Sequence, residues 1–509
     1  MKVLFRLILL IPPLACLPVQ SAAAADAASP NIVLITVDDM NFDTPGAFGG
    51  RVDGITPRID RLAAQGRRFL HAHVPVAVCQ PSRQCIMTGT YPQTNGSTGF
   101  YPLNPQSTTL VEVLKAHGYH LGILGKVLHL RPAEKFPWDM QHDQHELGAG
   151  RDPERYHALA TKFFEQAKSA GKPFFLMANS HDPHRPFAGA AGEQQQLLNQ
   201  VGPTVKGLSE QVRDAGEVPV ELAEHPAPRR VYQPDEVTVP GFLPDLPDVR
   251  KEVAQYYSSA HRADEMVGRI LDALEASGLA DNSIVIFLSD NGIALPFAKS
   301  NCYLASTRTP LIIRWPGTTQ PGSVDSTHFV SGVDLMPTLL EALKLPLPKG
   351  MDGRSFLPLL SGQAHDHRTQ AFSSYEETSA RVGYPMRCVQ SARFGYIYNA
   401  WSDGEKAYRA ESMIGLTYPA MASAAKDDSA IAARVEMFLH RVPEEFYDLQ
   451  NDPDALRNLI DEPRYQEEIQ QYRTDLLAWM QRTKDPLAAT FAATMENATP
   501  SASRTPSSP

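Results

Sequence analysis

The stretch Asn31-Ile32-Val33-Leu34-Ile35-Thr36-Val37, followed directly by Asp38-Asp39, decides the class of fold. Short β-branched runs of this kind alternate along the chain with helix-like stretches, which favours a parallel or mixed sheet with helices on both faces. Three further runs also end in polar residues: 119–124 before Gly125-Lys126, 173–178 before His181-Asp182-Pro183-His184, and 283–288 before Asp290-Asn291-Gly292. Ligands of open α/β sheets bind beyond the carboxyl ends of the strands, so we expect these polar side chains at one edge.

Length and composition limit the possible classes of protein. The chain has 509 residues, of which 43% are apolar and 20% charged, so a large buried core is available. A chain of this size does not depend on disulfides or metals to fold. The formal net charge is −10 and no basic patch offsets it, which excludes nucleic acid as a partner.

The amino terminus has the pattern of a secretory signal. Lys2 and Arg6 precede an apolar run at 7–17, and small residues follow at 21–25. We therefore predict a signal peptide at 1–25 and a secreted or periplasmic protein, lysosomal in a eukaryote. A lipoprotein anchor at Cys16 is the less favoured alternative, and no segment is long and apolar enough to predict a membrane span.

The mature chain divides by composition into two domains and a tail. We predict a large α/β domain at 26–364 and a smaller α+β domain at 365–487. The smaller domain contains a strand at 393–398 and an amphipathic helix near 467–481. Ala, Thr, Ser and Pro dominate 488–509, which predicts a disordered tail.

The most specific motif is Cys79-Gln80-Pro81-Ser82-Arg83, continued by Thr88-Gly89. Pro81 suits the first turn of a helix, which puts residue 79 at the positive end, where backbone N–H groups favour an anion. Arg83 adds a cation four residues later. The alternative interpretation of Cys79 is a buried structural thiol, and Cys85, further along the same helix, is assigned to the core.

This string resembles the signature of the type I sulfatases. The resemblance implies an alkaline-phosphatase-like fold, with a large mixed sheet between helices, and oxidation of Cys79 to Cα-formylglycine by a formylglycine-generating enzyme. The hydrated aldehyde is the nucleophile of that family. A Cys79–Cys85 disulfide would destroy it.

The strand-end carboxylates also resemble the family. Asp38-Asp39 and Asp290-Asn291 look like its metal ligands, which together with the residue formed from Cys79 imply one bound Ca²⁺. An isolated Asp-Asp pair is more often a turn or a helix cap. Three carboxylates at one sheet edge, however, would repel each other unless a cation neutralised them.

The basic residues of the family pattern are present in order. Lys126 and His129 resemble its Gly-Lys-x-x-His element, and His184 and Lys299 resemble its sulfate-binding residues. The resemblance implies that Arg83 orients the nucleophile and that Asp290 accepts its proton. It further implies that Lys126, His184 and Lys299 bind sulfate, that His184 or Lys299 protonates the leaving group, and that His129 regenerates the aldehyde.

Within the family the chain resembles the sulfamidases of heparan degradation, which implies a sulfated carbohydrate substrate with N-sulfoglucosamine at its end. The resemblance extends over 289–293, Asn301 and Tyr303, 384–390 and 445–449. Two features differ. The spacing Lys126-x-x-His129 is that of iduronate-2-sulfatase-like enzymes, and Tyr375-Glu376 stands where the sulfamidases have a histidine pair. A carbohydrate O-sulfatase is therefore the alternative.

Two further alternatives lie outside the sulfatases. A phosphate or phosphonate ester hydrolase of the same superfamily commonly uses two metal ions, and no ligand set for a second ion is evident. A secreted sulfated-glycan-binding protein would never acquire formylglycine. Arg83, Lys126 and His129 argue against that class, because binding alone requires no regenerating base.

Overall fold

The computed structural model describes residues 29–190, 225–363 and 365–498. The predicted signal peptide at 1–25 and the alternative anchor at Cys16 lie outside these residues, as does the end of the predicted tail at 499–509. Within the described ranges, no helix combines the length and the apolar character that crossing a membrane requires.

The larger of two sheets has eight strands. In chain order they are β1 (Asn31–Val37), β2 (Arg67–His73), β3 (His120–Leu124), β4 (Met140–His142), β5 (Phe174–Asn179), β6 (Ser283–Ser289), β7 (Leu311–Arg314) and β8 (Ser323–Ser331). Their order across the sheet is β4-β3-β5-β1-β6-β7-β2-β8. Only β7 runs antiparallel to its neighbours. The four predicted strands are therefore confirmed, and they are the adjacent parallel strands β3, β5, β1 and β6.

Helices cover both faces of this sheet. They are α1 (Pro57–Gln65), α2 (Cys79–Thr88), α3 (Pro92–Asn95), α4 (Leu110–Ala116), α5 (Pro153–Ala170), α6 (Pro247–Ser277), α7 (Leu304–Thr307), α8 (Leu335–Ala342) and α9 (Leu357–Leu360). Alternate residues of β1 separate two cores: Val33 and Ile35 pack with α1, α5 and α6, whereas Ile32 and Leu34 pack with α4 and α8. Burial on both faces explains why β1 is an unbroken apolar run.

The smaller sheet is antiparallel and lies in the carboxyl-terminal part. Its strands β9 (Gln370–Glu377), β10 (Gly383–Ser391), β11 (Phe394–Asn399) and β12 (Glu444–Asp448) have the order β12-β11-β10-β9. The helices here are α10 (Thr417–Ala424), α11 (Ser429–His440), α12 (Gln466–Arg482) and α13 (Ala488–Ala498). The predicted strand and amphipathic helix correspond to β11 and α12. The predicted domain boundary after residue 364 falls between the two sheets and stays a prediction.

The predicted disordered tail begins too early in the chain. Residues 488–498 form α13, and Phe491 on this helix is fully buried, with its ring 4.6 Å from the ring of Tyr398. The composition of the segment suggested disorder, but one aromatic residue packed on β11 is enough to hold a short helix against the sheet.

The two sheets are joined by buried hydrogen bonds. The hydroxyl of Tyr303 donates to Glu445 of β12 at 2.8 Å, and Arg441 donates to the side chain of Asn301 at 2.6 Å. Both partners in the larger domain lie a few residues after Lys299. The carboxyl-terminal part around the smaller sheet therefore fixes the position of the loop that carries this lysine.

Candidate active site

Polar residues from the ends of four adjacent strands meet at one edge of the large sheet. Asp38 and Asp39 follow β1, Lys126 follows β3, His184 follows β5, and Asp290 and Asn291 follow β6. Oxygen atoms of Asp38, Asp39 and Asp290 all lie within 4.8 Å of one another, and all three residues have no exposed surface. The sequence-predicted convergence is thus present in the structure.

Hydrogen bonds hold the carboxylates at fixed angles. The backbone N–H of Asp39 donates to Asp290 Oδ1 at 3.2 Å, and Asn291 Nδ2 donates to Asp39 Oδ1 at 2.6 Å. Asp39 itself has φ of 69°, a left-handed conformation that non-glycine residues adopt infrequently. Strain of this kind clusters at functional sites, where surrounding contacts hold it in place.

Three cationic side chains lie among these three carboxylates. Arg83 donates to Asp290 Oδ2 at 2.6 Å, Lys126 contacts Asp38, and Lys299 Nζ lies 2.9 Å from Asp39 Oδ2. The protein therefore already offsets the repulsion that the sequence alone leaves uncompensated. Charge repulsion therefore does not by itself require a metal ion. The case for a metal rests on carboxylate and amide oxygens at the site that have unused acceptor capacity.

Several buried oxygens at the site accept no hydrogen bond. Among the described residues, neither carboxylate oxygen of Asp38 accepts a hydrogen bond of normal geometry, although Lys126 forms an ion pair with it, and the Oδ1 atom of Asn291 has no donor. Leaving such atoms unsatisfied costs about 1–3 kcal/mol each. All of these atoms are hard oxygen donors, the kind that Ca²⁺ and Mg²⁺ prefer, so the residues fit a divalent cation.

The carboxylates differ in how readily they ionise. Burial raises the pKa of Asp290 to about 7, aided by Asp38 and Asp39 and opposed by Arg83. Burial also disfavours the charged form of Asp38, but Lys126, His184 and Arg83 hold the pKa of this carboxyl well below its usual range. A cation at this position would favour the charged form of Asp290 as well.

Cys79 is the first residue of α2, as its proline spacing predicts. Its Sγ atom lies within 4.8 Å of ligand atoms of Asp38 and His184, and the residue is 5% exposed. Burial raises the pKa of the thiol to about 12, against the nearby charge of Lys299. At neutral pH this sulfur is a thiol rather than a thiolate, so the unmodified side chain is a poor nucleophile.

Arg83 is fixed by contacts with three strands. Besides Asp290 beyond β6, its guanidinium donates to Asn179 at the end of β5 at 2.6 Å and to Thr36 in β1. The side chain has no exposed surface. Its orientation is therefore set by the sheet, one turn of helix away from Cys79.

Two histidines border the cluster with opposite proton affinities. Burial, together with Lys126 and Arg83, lowers the pKa of His129 well below its usual value, and its Nδ1 atom has no hydrogen-bond partner. Burial and Lys299 also disfavour charge on His184, but Asp39 and Glu411 raise its pKa above the usual value. His129 is therefore suited to accept a proton and His184 to donate one.

The tautomer of His184 follows from its partners. Its Nδ1 atom lies 2.6 Å from the carbonyl oxygen of Arg185, which only accepts, so this nitrogen carries a proton. Its Nε2 atom lies 3.2 Å from Glu411 Oε1 and 3.8 Å from Asp39 Oδ2. With acceptors at both nitrogens, the ring is held as the imidazolium ion.

Glu411 is a site residue that the sequence reasoning missed. It lies on a short 3₁₀ turn, Glu411–Met413, in the smaller domain. Its two oxygens lie 3.2 Å from His184 Nε2 and 3.2 Å from Lys299 Nζ. No motif around residue 411 marks it, so the sequence offers no signal from which it could have been found.

The remaining candidates from the sequence are used by the fold. Cys85 is buried and accepts a hydrogen bond from Asn95 at 3.6 Å, and all four cysteines in the described residues are unpaired. Tyr375 is fully buried, and Glu376 forms an ion pair with Arg387. This pair therefore serves packing between β9 and β10.

Buried cations around strand-end carboxylates, beside a residue at a helix amino terminus, suit the binding of an anionic group. The sulfatase family profile matches residues 30–345, and a profile described as N-sulphoglucosamine sulphohydrolase, C-terminal, matches residues 295–406. The first match covers more than half of the chain. The chain belongs to the sulfatase family and is a hydrolase of sulfate esters or sulfamates.

Individual relatives agree with this assignment. N-sulphoglucosamine sulphohydrolase of Homo sapiens is 29% identical over 476 residues, covering 90% of this chain and 91% of the relative. N-acetylglucosamine-6-O-sulfatase of Bacteroides thetaiotaomicron is 27% identical, covering 77% and 83%. A solved protein in complex with its substrate D-glucosamine-2-N,6-O-disulfate superimposes with a TM-score of 0.65 at 21% identity, covering 90% and 99%. The fold is the alkaline-phosphatase-like sulfatase fold.

Proposed function

We propose that this enzyme removes sulfate from the terminal sugar of a sulfated glycan, with N-sulfoglucosamine as the substrate and a formylglycine formed from Cys79 as the nucleophile. One observation carries the proposal. The Cys79 side chain lies at the start of α2, within 4.8 Å of ligand atoms of Asp38 and His184. Its raised pKa keeps the thiol protonated, which disfavours attack by a cysteine thiolate. The similarity to the human sulfamidase, which extends over both domains, supports the choice of substrate.

The sulfate group would be held by the site's cations. Lys126, His184 and Lys299 surround the space in front of Cys79 and carry positive charge complementary to a sulfate oxygen. A bound Ca²⁺, held by Asp38, Asp39, Asp290 and Asn291 together with the residue formed from Cys79, would add charge neutralisation of the sulfate group. Arg83 keeps the nucleophile oriented, and Asp290 accepts its proton.

One hydroxyl oxygen of the hydrated aldehyde bonds to sulfur as the bond from sulfur to the leaving atom breaks, and the complete reaction needs an acid and a base. His184 or Lys299 donates a proton to the leaving nitrogen or oxygen as the bond to sulfur breaks. His129, neutral at pH 7 because its pKa is lowered, then removes the proton of the second hydroxyl of the hydrated aldehyde. Sulfate leaves and the aldehyde is restored, an exit that a serine or cysteine nucleophile lacks.

Maturation and localisation form part of the proposal. A formylglycine-generating enzyme is the partner that would convert Cys79 before the chain folds around it, because the residue is 5% exposed afterwards. The amino-terminal pattern supports export to the periplasm or the exterior. The division into domains at 26–364 and 365–487 is also part of the proposal, and it rests on the change in sequence composition.

A carbohydrate O-sulfatase is the second candidate. The spacing Lys126-x-x-His129 favours it, as does the relative that is an N-acetylglucosamine-6-O-sulfatase. Both candidates share the nucleophile and the cation site. They differ in the atom that leaves, which is nitrogen in one and oxygen in the other.

Release of free sulfate from a defined panel distinguishes the candidates. The panel contains N-sulfoglucosamine, glucosamine-6-sulfate and a disaccharide with a 2-O-sulfated uronate, each tested on protein produced together with the maturation enzyme. We expect turnover of N-sulfoglucosamine. Turnover of an O-sulfated sugar alone would show that the sulfamidase assignment is wrong.

A further inference from the structure

Glu411 occupies an unusual position for a carboxylate. It bridges His184 and Lys299, the two residues that the proposed mechanism uses to protonate the leaving group. Its side chain is 25% exposed, whereas the Lys299 side chain beneath it is 1% exposed. The Glu411 side chain is therefore partly open where Lys299 is covered, and this open part is where a substrate would meet it.

The segment that carries Glu411 is held firmly. The backbone N–H of Thr417 donates to Glu252 Oε2 at 2.6 Å, and Glu252 Oε1 pairs with Arg185 at 2.5 Å. Gly415 lies so close that a Cβ atom would stand 1.8 Å from Glu252 Oε1, and its φ of 96° also requires glycine. Helix α6 thus fixes the turn that positions Glu411.

A negative charge beside an anion-binding site weakens sulfate binding, so a compensating interaction is expected. The chemistry of the leaving atom supplies one. In a sulfamate the bridging nitrogen carries a hydrogen and donates a hydrogen bond, whereas in a sulfate ester the bridging oxygen only accepts. A carboxylate only accepts, so it attracts the first group and repels the second.

We propose that Glu411 selects sulfamates over sulfate esters by accepting a hydrogen bond from the bridging N–H of the substrate, a role that rests on the proposed function. The proton of this N–H stays on nitrogen throughout. A hydroxyl oxygen of the hydrated aldehyde bonds to sulfur as the S–N bond breaks, nitrogen takes its additional proton from His184 or Lys299, and the neutral amine leaves. Glu411 is a specificity-determining residue for this reaction.

The test uses two substrates that differ in one group, N-sulfo-D-glucosamine and D-glucose 2-sulfate. In the Glu411→Gln variant the side chain keeps its shape but gains a donor that suits the ester oxygen. We expect kcat/KM for the sulfamate to fall about 10- to 100-fold and kcat/KM for the ester to stay the same or rise. Glu411→Ala should also lower the ratio, and Glu405→Gln, an exposed change in the same region, should not.

The possible outcomes separate this inference from the proposed function. Equal losses on both substrates would show that Glu411 only positions His184 and Lys299, and would overturn its role in selection. A wild-type enzyme that cleaves the ester but not the sulfamate would overturn the proposed substrate, and the role of Glu411 with it. A lowered sulfamate-to-ester ratio in a variant with an unchanged melting temperature supports the inference.

Discussion

Two buried aspartates follow neighbouring strands, and their surroundings differ in a way that separates a site from a scaffold. Asp182, beyond β5, accepts hydrogen bonds from Arg151 at 2.6 Å and from Arg262 at 2.6 and 3.0 Å, so both of its oxygens are satisfied. Asp38, beyond β1, forms an ion pair with Lys126, but among the described residues it accepts no hydrogen bond of normal geometry, and it lies beside Asp39 and Asp290. Residue type and burial are the same, so the gathered carboxylates with unused oxygen atoms mark the place for a ligand.

The largest expected effect comes from Asp38→Asn. The change removes a negative ligand from the cation site and weakens the ion pair with Lys126. We expect kcat/KM to fall at least about 1,000-fold, since a metal that neutralises the reacting group contributes several kcal/mol. Elemental analysis should find less than one Ca²⁺ per chain. Wild-type activity with full metal content would remove Asp38 from the site.

The same substitution at Asp182 should act on stability instead. Asp182→Asn leaves Arg151 and Arg262 buried with weakened partners, which should lower the free energy of unfolding by about 3–5 kcal/mol. Urea unfolding measures this loss. Metal content per folded molecule should match the wild type. A variant that loses its metal while keeping its stability would show that Asp182 is a ligand rather than a structural residue.

The contrast between the two aspartates also explains what the sequence reveals. The convergence of Asp38, Lys126, His184 and Asp290 is predictable, because parallel strands end at a common edge and each of these residues follows an apolar run. The compensation of Asp182 by Arg262 is not, because the arginine lies 80 residues away on α6 and no local pattern links them.

Glu411 and α13 show the same limit. Glu411 reaches the site because the carboxyl-terminal part of the chain packs on α6 through contacts such as that of Thr417 with Glu252, separated by 165 residues. The helix at 488–498 exists because Phe491 finds a surface on β11. Contacts between residues far apart in the sequence determine both the position of Glu411 and the formation of α13.

We expect a smaller effect of pH on kcat/KM, and this effect arises from two histidines of the active site. The pKa of His129 is lowered, so this base stays neutral and active at pH values well below 6.5, and the pKa of His184 is raised, so this acid stays protonated above 6.5. Because a bound cation favours the charged form of Asp290, whose pKa is about 7 without it, the profile of kcat/KM against pH should be broad, with a plateau that spans pH 6.5. A narrow optimum near 6.5 would contradict these assignments.

The chemical state of residue 79 tests the central claim most directly. Mass spectrometry of the peptide containing Cys79, from active enzyme made with the maturation machinery, should show an aldehyde in place of the CH₂SH group. Turnover should rise in proportion to the converted fraction. Cys79→Ala should have no measurable activity, while Cys302→Ala, at another buried and unpaired cysteine, should retain it. Full activity in a preparation whose Cys79 is entirely thiol would contradict the account.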